Sequence, residues 1–186
     1  MKPLALLVMA CATCVGQVSS VGQGCPLKIT VGGSNVPFNN GEHIVVWFEN
    51  QSGKTVSRAR FDLSLIDAAN QRHASRRSYQ VQSAVRPFQA GLVMEPAAEE
   101  ARQFGNWKAV RGLNVSIRDV LFEDGTEWHS RDLTACSREL MNANYQHDMR
   151  AWNAALRSEW NRRHPDDPMP EPALAAWLLP AMEGWK

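Results

Sequence analysis

The sequence predicts a mainly β protein: an immunoglobulin-like β-sandwich of about seven strands with a C-terminal helical extension. Three observations lead there. From Pro26 to about Trp128, apolar residues recur mostly at every second position, the period of a strand with one buried face. Turn signals interrupt that pattern every 8 to 15 residues, the spacing of short strands. Directly after Cys136 the apolar spacing changes to steps of three and four, the period of a helix.

Leu27, Ile29 and Val31 alternate with Lys28 and Thr30 in a first strand, closed by Gly32-Gly33 and the Asn39-Asn40-Gly41 turn. The continuous apolar run Ile44-Val45-Val46-Trp47-Phe48 predicts a second strand buried on both sides, with Trp47 in the core. Asn50 to Lys54 turns the chain into Val56 to Ile66, where Phe61, Leu63 and Leu65 occupy one face and Arg58, Arg60, Asp62 and Ser64 the other. Asp67-Ala68-Ala69-Asn70 reverses into His73 to Val85, with Tyr79, Val81, Ser83 and Val85 on one face, and Pro87 breaks that strand or sets it at an edge. Glu95-Pro96 leads a short helix over Ala97 to Phe104, proline near its start lacking an amide proton that would have no partner there. Leu113, Val115, Ile117 and Val120-Leu121-Phe122 make a long strand that Glu123-Asp124-Gly125-Thr126 turns into Trp128, Asp-Gly being a strong hairpin signal.

The flanks read differently. Met1-Lys2 precedes an apolar run from Pro3 to Val15, too short for a hydrocarbon core of about 30 Å but suited to a secretory leader, residues 1–20, cut before Val21. That cut discards Cys11 and Cys14 and leaves Cys25 and Cys136, an even pair for an oxidising compartment, so a disulfide between them is expected to close a sandwich of residues 21–136. The alternative is lipoprotein processing at Cys11, which strands one odd thiol. Beyond Cys136, Met141, Tyr145, Met149, Trp152, Leu156 and Trp160 form one stripe of an amphipathic helix over residues 137–164, with Ser137 as its N-cap and Arg157, Arg162 and Arg163 toward its carboxyl end. Pro165 stops it, residues 165–172 form a proline-rich linker, and Leu174, Trp177, Leu178 and Trp185 belong to a second short helix over 173–186.

Composition excludes several classes. The 186 residues are 44% apolar and 21% charged, ordinary globular values, and the formal charge of +1 supplies no field to draw nucleic acid. GxSxG, HExxH, GxxxxGK and GxGxxG signatures are missing, so no catalytic residue and no cofactor is assigned. Pro170-Glu171-Pro172 before an apolar stretch has the look of a sorting signal, but Leu174 to Leu179 is too short to span a bilayer, so no transmembrane span is expected.

The ending Val120-Leu121-Phe122-Glu123-Asp124-Gly125-Thr126-Glu127-Trp128, followed by Cys136, resembles a pattern of uncharacterised exported bacterial proteins with a small β-sandwich, and Phe61-Asp62-Leu63 through Asp67-Ala68 has a similar look. The resemblance covers roughly residues 25–136. It implies export and a sandwich, and no activity.

Candidate contact residues are the tryptophans. Trp107 and Trp128, beside loops or strand ends, could stack on a sugar ring, with packing under a loop as the plainer reading; Trp152, Trp160 and Trp177 in the tail suit docking onto the sandwich or onto another protein. Lys54 to Arg86 carries seven basic residues against Asp62 and Asp67, whereas Asp119 to Glu139 carries six acidic residues against Arg131 and Arg138, so a bipolar molecule with an arginine-rich face is expected. Glu127 and His129 share a strand face and with a third ligand could hold a metal, although a solvated strand end is the default, and no metal site is assigned. The expected function is therefore a non-enzymatic binding or scaffolding protein of the bacterial envelope, periplasmic or extracellular, which meets an envelope protein or glycan through its C-terminal helices or arginine face. The alternatives are a carbohydrate-binding or carbohydrate-active accessory module and, more remotely, a small hydrolase.

Overall fold

The computed structural model describes residues 24–38, 41–81 and 84–168. Eight strands, β1 (Leu27–Phe38), β2 (Gly41–Asn50), β3 (Val56–Ile66), β4 (Arg72–Val81), β5 (Ala90–Pro96), β6 (Gly112–Phe122), β7 (Glu127–His129) and β8 (Ser137–Met141), are joined by helices α1 (Ala98–Phe104) and α2 (Tyr145–Arg163). All strand pairs are antiparallel, in a three-stranded sheet ordered β1-β2-β5 and a five-stranded sheet ordered β4-β3-β6, with β7 and β8 both on the far edge of β6. β7 pairs with Asp119–Leu121 and β8 with Gly112–Ser116, so the two share one strand position, interrupted in the middle. Among the described residues eight strands thus fill seven positions of a two-sheet β-sandwich.

The expected strands form, with instructive departures. β1 runs on through Gly32 and Gly33, which were expected to end it, with irregular register between Gly33 and Val36. Gly32 is required for closeness: a β-carbon there would lie 2.4 Å from the Val45 carbonyl oxygen and 2.7 Å from Leu140 Cδ1. In β6 the alternation changes phase between Ile117 and Val120 because Arg118 is an extra residue, Phe61 facing Ile117 while Arg60 faces Asp119. β5 was not foreseen. Its Gly91 lies under the Phe48 ring, where a β-carbon would come within 2.2 Å. The short helix starts one residue later than expected, at Ala98, and Pro96 ends β5 rather than opening the helix.

Between the sheets, Leu27, Ile29, Ile44, Val46, Phe48 and Val93 meet Phe61, Leu63, Leu65, Leu113, Val115, Ile117, Val120 and Phe122 in one core. The disulfide joins Cys25, just before β1, to Cys136, with Cα atoms 5.7 Å apart. Buried Asn50 fixes the turn after β2, its Nδ2 donating to the Lys54 and Val85 carbonyls and its Oδ1 accepting from the Ser52 amide and hydroxyl.

Two expectations about the tail need correction. Residues 137–141 are strand rather than helix. Leu140 is 3% exposed and belongs to the main core, so the sandwich does not end at Cys136, and Ser137 is not a helix cap. The helix begins at Tyr145 after Asn144, because Met141 and Asn142 are held elsewhere: Asn142 Oδ1 accepts the Ser34 amide at 2.8 Å and its Nδ2 donates to the Val110 carbonyl at 3.1 Å, tying β8 to β1. Second, the helix is no free contact element along its length. Tyr145, Met149, Trp152 and Leu156 lie on the outer face of the three-stranded sheet against Val31, Val45 and Trp47. Trp47, expected in the core between the sheets, points outward into this second cluster, its ring 5.2 Å from that of Trp152. β2 is apolar on both faces because it is covered twice, by the second sheet and by α2. The leader, Trp177 and the 173–186 helix lie outside the described residues, as does the linker beyond its first turn.

Candidate functional site

The tryptophans divide by environment. Trp107 is 8% exposed beneath the helical turn Trp107–Ala109, and its indole N–H donates to Glu42 Oε2 at 2.9 Å. It packs in the main core, as in the plainer of the two readings. Trp128 is half-buried against the main core. Trp152 is 9% exposed, stacks obliquely on Trp47 and donates to Glu49 Oε1 at 2.7 Å. Trp160, a turn beyond the docked part of α2, stacks on His164 at 3.9 Å and donates to the Asp167 carbonyl.

The bipolar charge distribution does not exist in space. Antiparallel pairing lays the basic segment along the acidic one: Lys54 meets Asp124 at 2.8 Å, Arg58 meets Glu127 at 3.6 Å, Arg60 meets Asp119 at 2.7 Å, and Arg72 meets Glu139. Arg118 adds a bond to Asp62. What looks like a dipole along the chain is an interleaved lattice of both signs on the outer face of the five-stranded sheet. The Arg60 guanidinium is held above its ordinary value by its hydrogen bond to Asp119, and Asp124 is held down at about 2 by Lys54 and by the Thr126 hydroxyl and amide. In the same lattice His129 Nε2 lies 3.1 Å from Glu127 Oε2, but among the described residues no group of three metal-binding side chains comes together there or elsewhere.

Two features escaped the sequence reading. The first lies where α2 ends. Arg86 to Gln89 forms a turn, closed by the Gln89 amide on the Arg86 carbonyl at 3.1 Å, with Pro87 second and Phe88 third. Phe88 has φ of 63°, a backbone setting that glycine adopts freely and a bulky side chain rarely does, and it is 69% exposed. The Arg163 guanidinium lies over its ring, 5.7 Å from the centroid.

The second is a cleft of about 530 Å³ between α1 and the β3–β4 hairpin. Asp67 holds the hairpin turn: its Oδ1 accepts the Ala69 and Gln71 amides at 2.8 Å each, and its Oδ2 meets His73 Nε2 at 2.9 Å, contacts that keep this carboxyl below its ordinary range, His73 foremost. The His73 ring stands edge-on to Phe104 of α1, with centroids 5.1 Å apart. Deeper in, Glu100 is 2% exposed, and its Oε1 accepts the hydroxyls of Tyr79 at 2.7 Å and Ser75 at 2.9 Å. Burial, then the bond to Glu100, raises the Tyr79 phenol well above its ordinary value. A signal for Glu100 existed: Ala97, Glu100, Ala101 and Phe104 lie on one helical stripe, and only Glu100 on it is charged.

No protein-family profile and no curated protein matches the chain. Among solved structures, a hypothetical protein from Peptoclostridium difficile 630 is similar over 67% of this chain and 98% of its own, at 11% identity and a TM-score of 0.45. Among the described residues no helix is long and apolar enough to cross a membrane.

Proposed function

We propose that the protein is an exported, non-enzymatic binding or scaffolding protein of the bacterial envelope, in which the disulfide-closed sandwich carries a contact surface at the end of α2. Phe88 is the observation behind this reading. A phenylalanine at positive φ costs of order 1–3 kcal/mol where glycine would cost little, and its exposed ring gains little from the protein's own core. The Phe88 amide anchors the turn on the Asn50 carbonyl at 2.8 Å, so the strained backbone is held from inside while the ring is left to solvent, where a partner can meet it. Arg163, lying over the ring, gives the surface the aromatic and cationic character common at the centre of protein interfaces. Export is supported by the Cys25–Cys136 bridge, which persists in oxidising compartments, and by the leader-like start.

The test sets stability against capture. Phe88→Gly should unfold at equal or higher urea concentration than the parent, while tagged full-length protein carrying it should lose partners that the parent cross-links in envelope extracts. Identical cross-linking profiles would remove Phe88 from the contact surface. N-terminal sequencing of secreted protein should start near Val21; a diacylated Cys11 would replace free export with membrane anchoring.

A further inference from the structure

We propose that the cleft between α1 and the β3–β4 hairpin binds a small protonated amine, its ammonium seated against Glu100 and its apolar body against Phe104. Glu100 carries the argument. A carboxylate removed from water needs a cation or a full set of donors, and here the described residues supply two hydroxyls, both on Oε1, and no cation. The cationic side chains on the elements around it are engaged or peripheral: Arg77 reaches Glu99 at 2.6 Å, His73 faces Asp67, Arg76 sits exposed on the cleft rim, and Arg102 of the same helix is exposed and outside the cleft lining. Glu100 nevertheless lines the cleft, and because both hydroxyls fall on Oε1, Oε2 is left for a donor that arrives through the cleft. The cavity is within the roughly 300–1,000 Å³ of small-molecule sites, and beside Glu100 it offers Phe104, Leu65 and Ala74 to an alkyl chain. An ammonium fits this arrangement better than an anion, which would meet both Glu100 and Asp67. This cleft is separate from the surface around Phe88, so the two proposals fail independently.

The probe is n-butylamine at neutral pH, with n-butanol as its uncharged counterpart, followed by NMR of the full-length protein with the Glu100 side-chain carboxyl labelled. Saturable shifts of that carboxyl and of the Gly105 and Ala109 amides with butylamine, and none with butanol, are expected. Glu100→Gln keeps an oxygen for both hydroxyls and removes the charge; it should weaken butylamine at least tenfold with the parent's amide spectrum otherwise preserved. Equal binding of butanol, a silent carboxyl, or a Glu100 that is protonated at pH 7 in the parent would each overturn the proposal, and the carboxyl measurement stands even if the variant does not fold.

Discussion

The two outer faces of the sandwich are finished in opposite ways. The face of the three-stranded sheet is apolar, with Val45, Trp47, Leu92 and Met94, and it is closed by a helix whose Tyr145, Met149, Trp152 and Leu156 pack on it. The face of the five-stranded sheet is ionic, with Arg58, Arg60, Asp62 and Asp119 paired across strands, and apart from Asp119, buried beneath Arg60, these charges meet water. Covering a face by burial gains free energy roughly in proportion to apolar area, whereas pairing exposed charges gains little in each pair. The helical face should therefore hold the fold together and the charged face should mainly keep it soluble and unassociated.

The hardest way to break this contrast is to end the chain at Cys136. That removes β8 with buried Leu140, the Asn142 link to β1 and all of α2, so residues 21–136 should show no cooperative thermal transition by circular dichroism. A cooperative transition would show that the helical face is dispensable. Trp152→Ala is next: emptying the contact with Trp47 should cost about 3–5 kcal/mol in urea unfolding, the range for a large aromatic removed from a packed site. Losing the disulfide in Cys25→Ala with Cys136→Ala should cost about 2–5 kcal/mol, measured the same way, because a long loop is freed in the unfolded chain. On the charged face, Arg58→Gln should stay within about 0.5 kcal/mol of the parent, since its partner Glu127 is 3.6 Å away and both are substantially exposed. A loss as large as that of Trp152→Ala would dissolve the contrast.

Acid sharpens it further. Asp124 sits at about 2 in the fold, below an ordinary aspartate, so the stability it contributes is full above the ordinary carboxylate range and is lost as pH falls toward 2. Lys54→Met removes the largest cause of that depression. The variant's urea midpoint should consequently fall less than the parent's between pH 5 and pH 2.5. Equal slopes would remove the Lys54–Asp124 pair from the acid response.

The helical face was half legible in the sequence. The steps Tyr145, Met149, Trp152, Leu156 gave the stripe, and the unbroken run Ile44 to Phe48 signalled a strand covered twice, yet nothing local said that one was the cover of the other. The stripe also absorbed Met141, hiding β8, since Ser137 to Met141 has only Leu140 buried and too few residues to show a period of two. β5 stayed invisible for a related reason: Ala90 to Met94 is apolar at every position, because its inward Gly91 and Val93 and outward Leu92 and Met94 are all covered. The ionic face misled because charge was summed along the chain, whereas register decides who meets whom; Arg60 and Asp119 are partners only through the β3–β6 pairing. The cleft was missed although Glu100 stood out on its stripe, since its meaning depends on Tyr79 and Ser75 arriving from another strand.

The position of the disulfide has a mechanical consequence. Cys136 interrupts the last strand position, and its partner precedes the first strand. When the molecule is pulled from its two ends, tension passes through the sulfur bridge and never reaches strands β1 to β7, which lie inside the covalent loop. Among the described residues, β8 and α2 are the elements in the load path. They can pay out residues 137–168, roughly 110 Å of contour, while the bridge carries the same tension and keeps the loop closed. Stretching would thus peel the helix off the apolar face and expose Trp47, and from the ionic face it would take β8 with the Arg72–Glu139 pair while the pairs between β3 and β6 stayed in place.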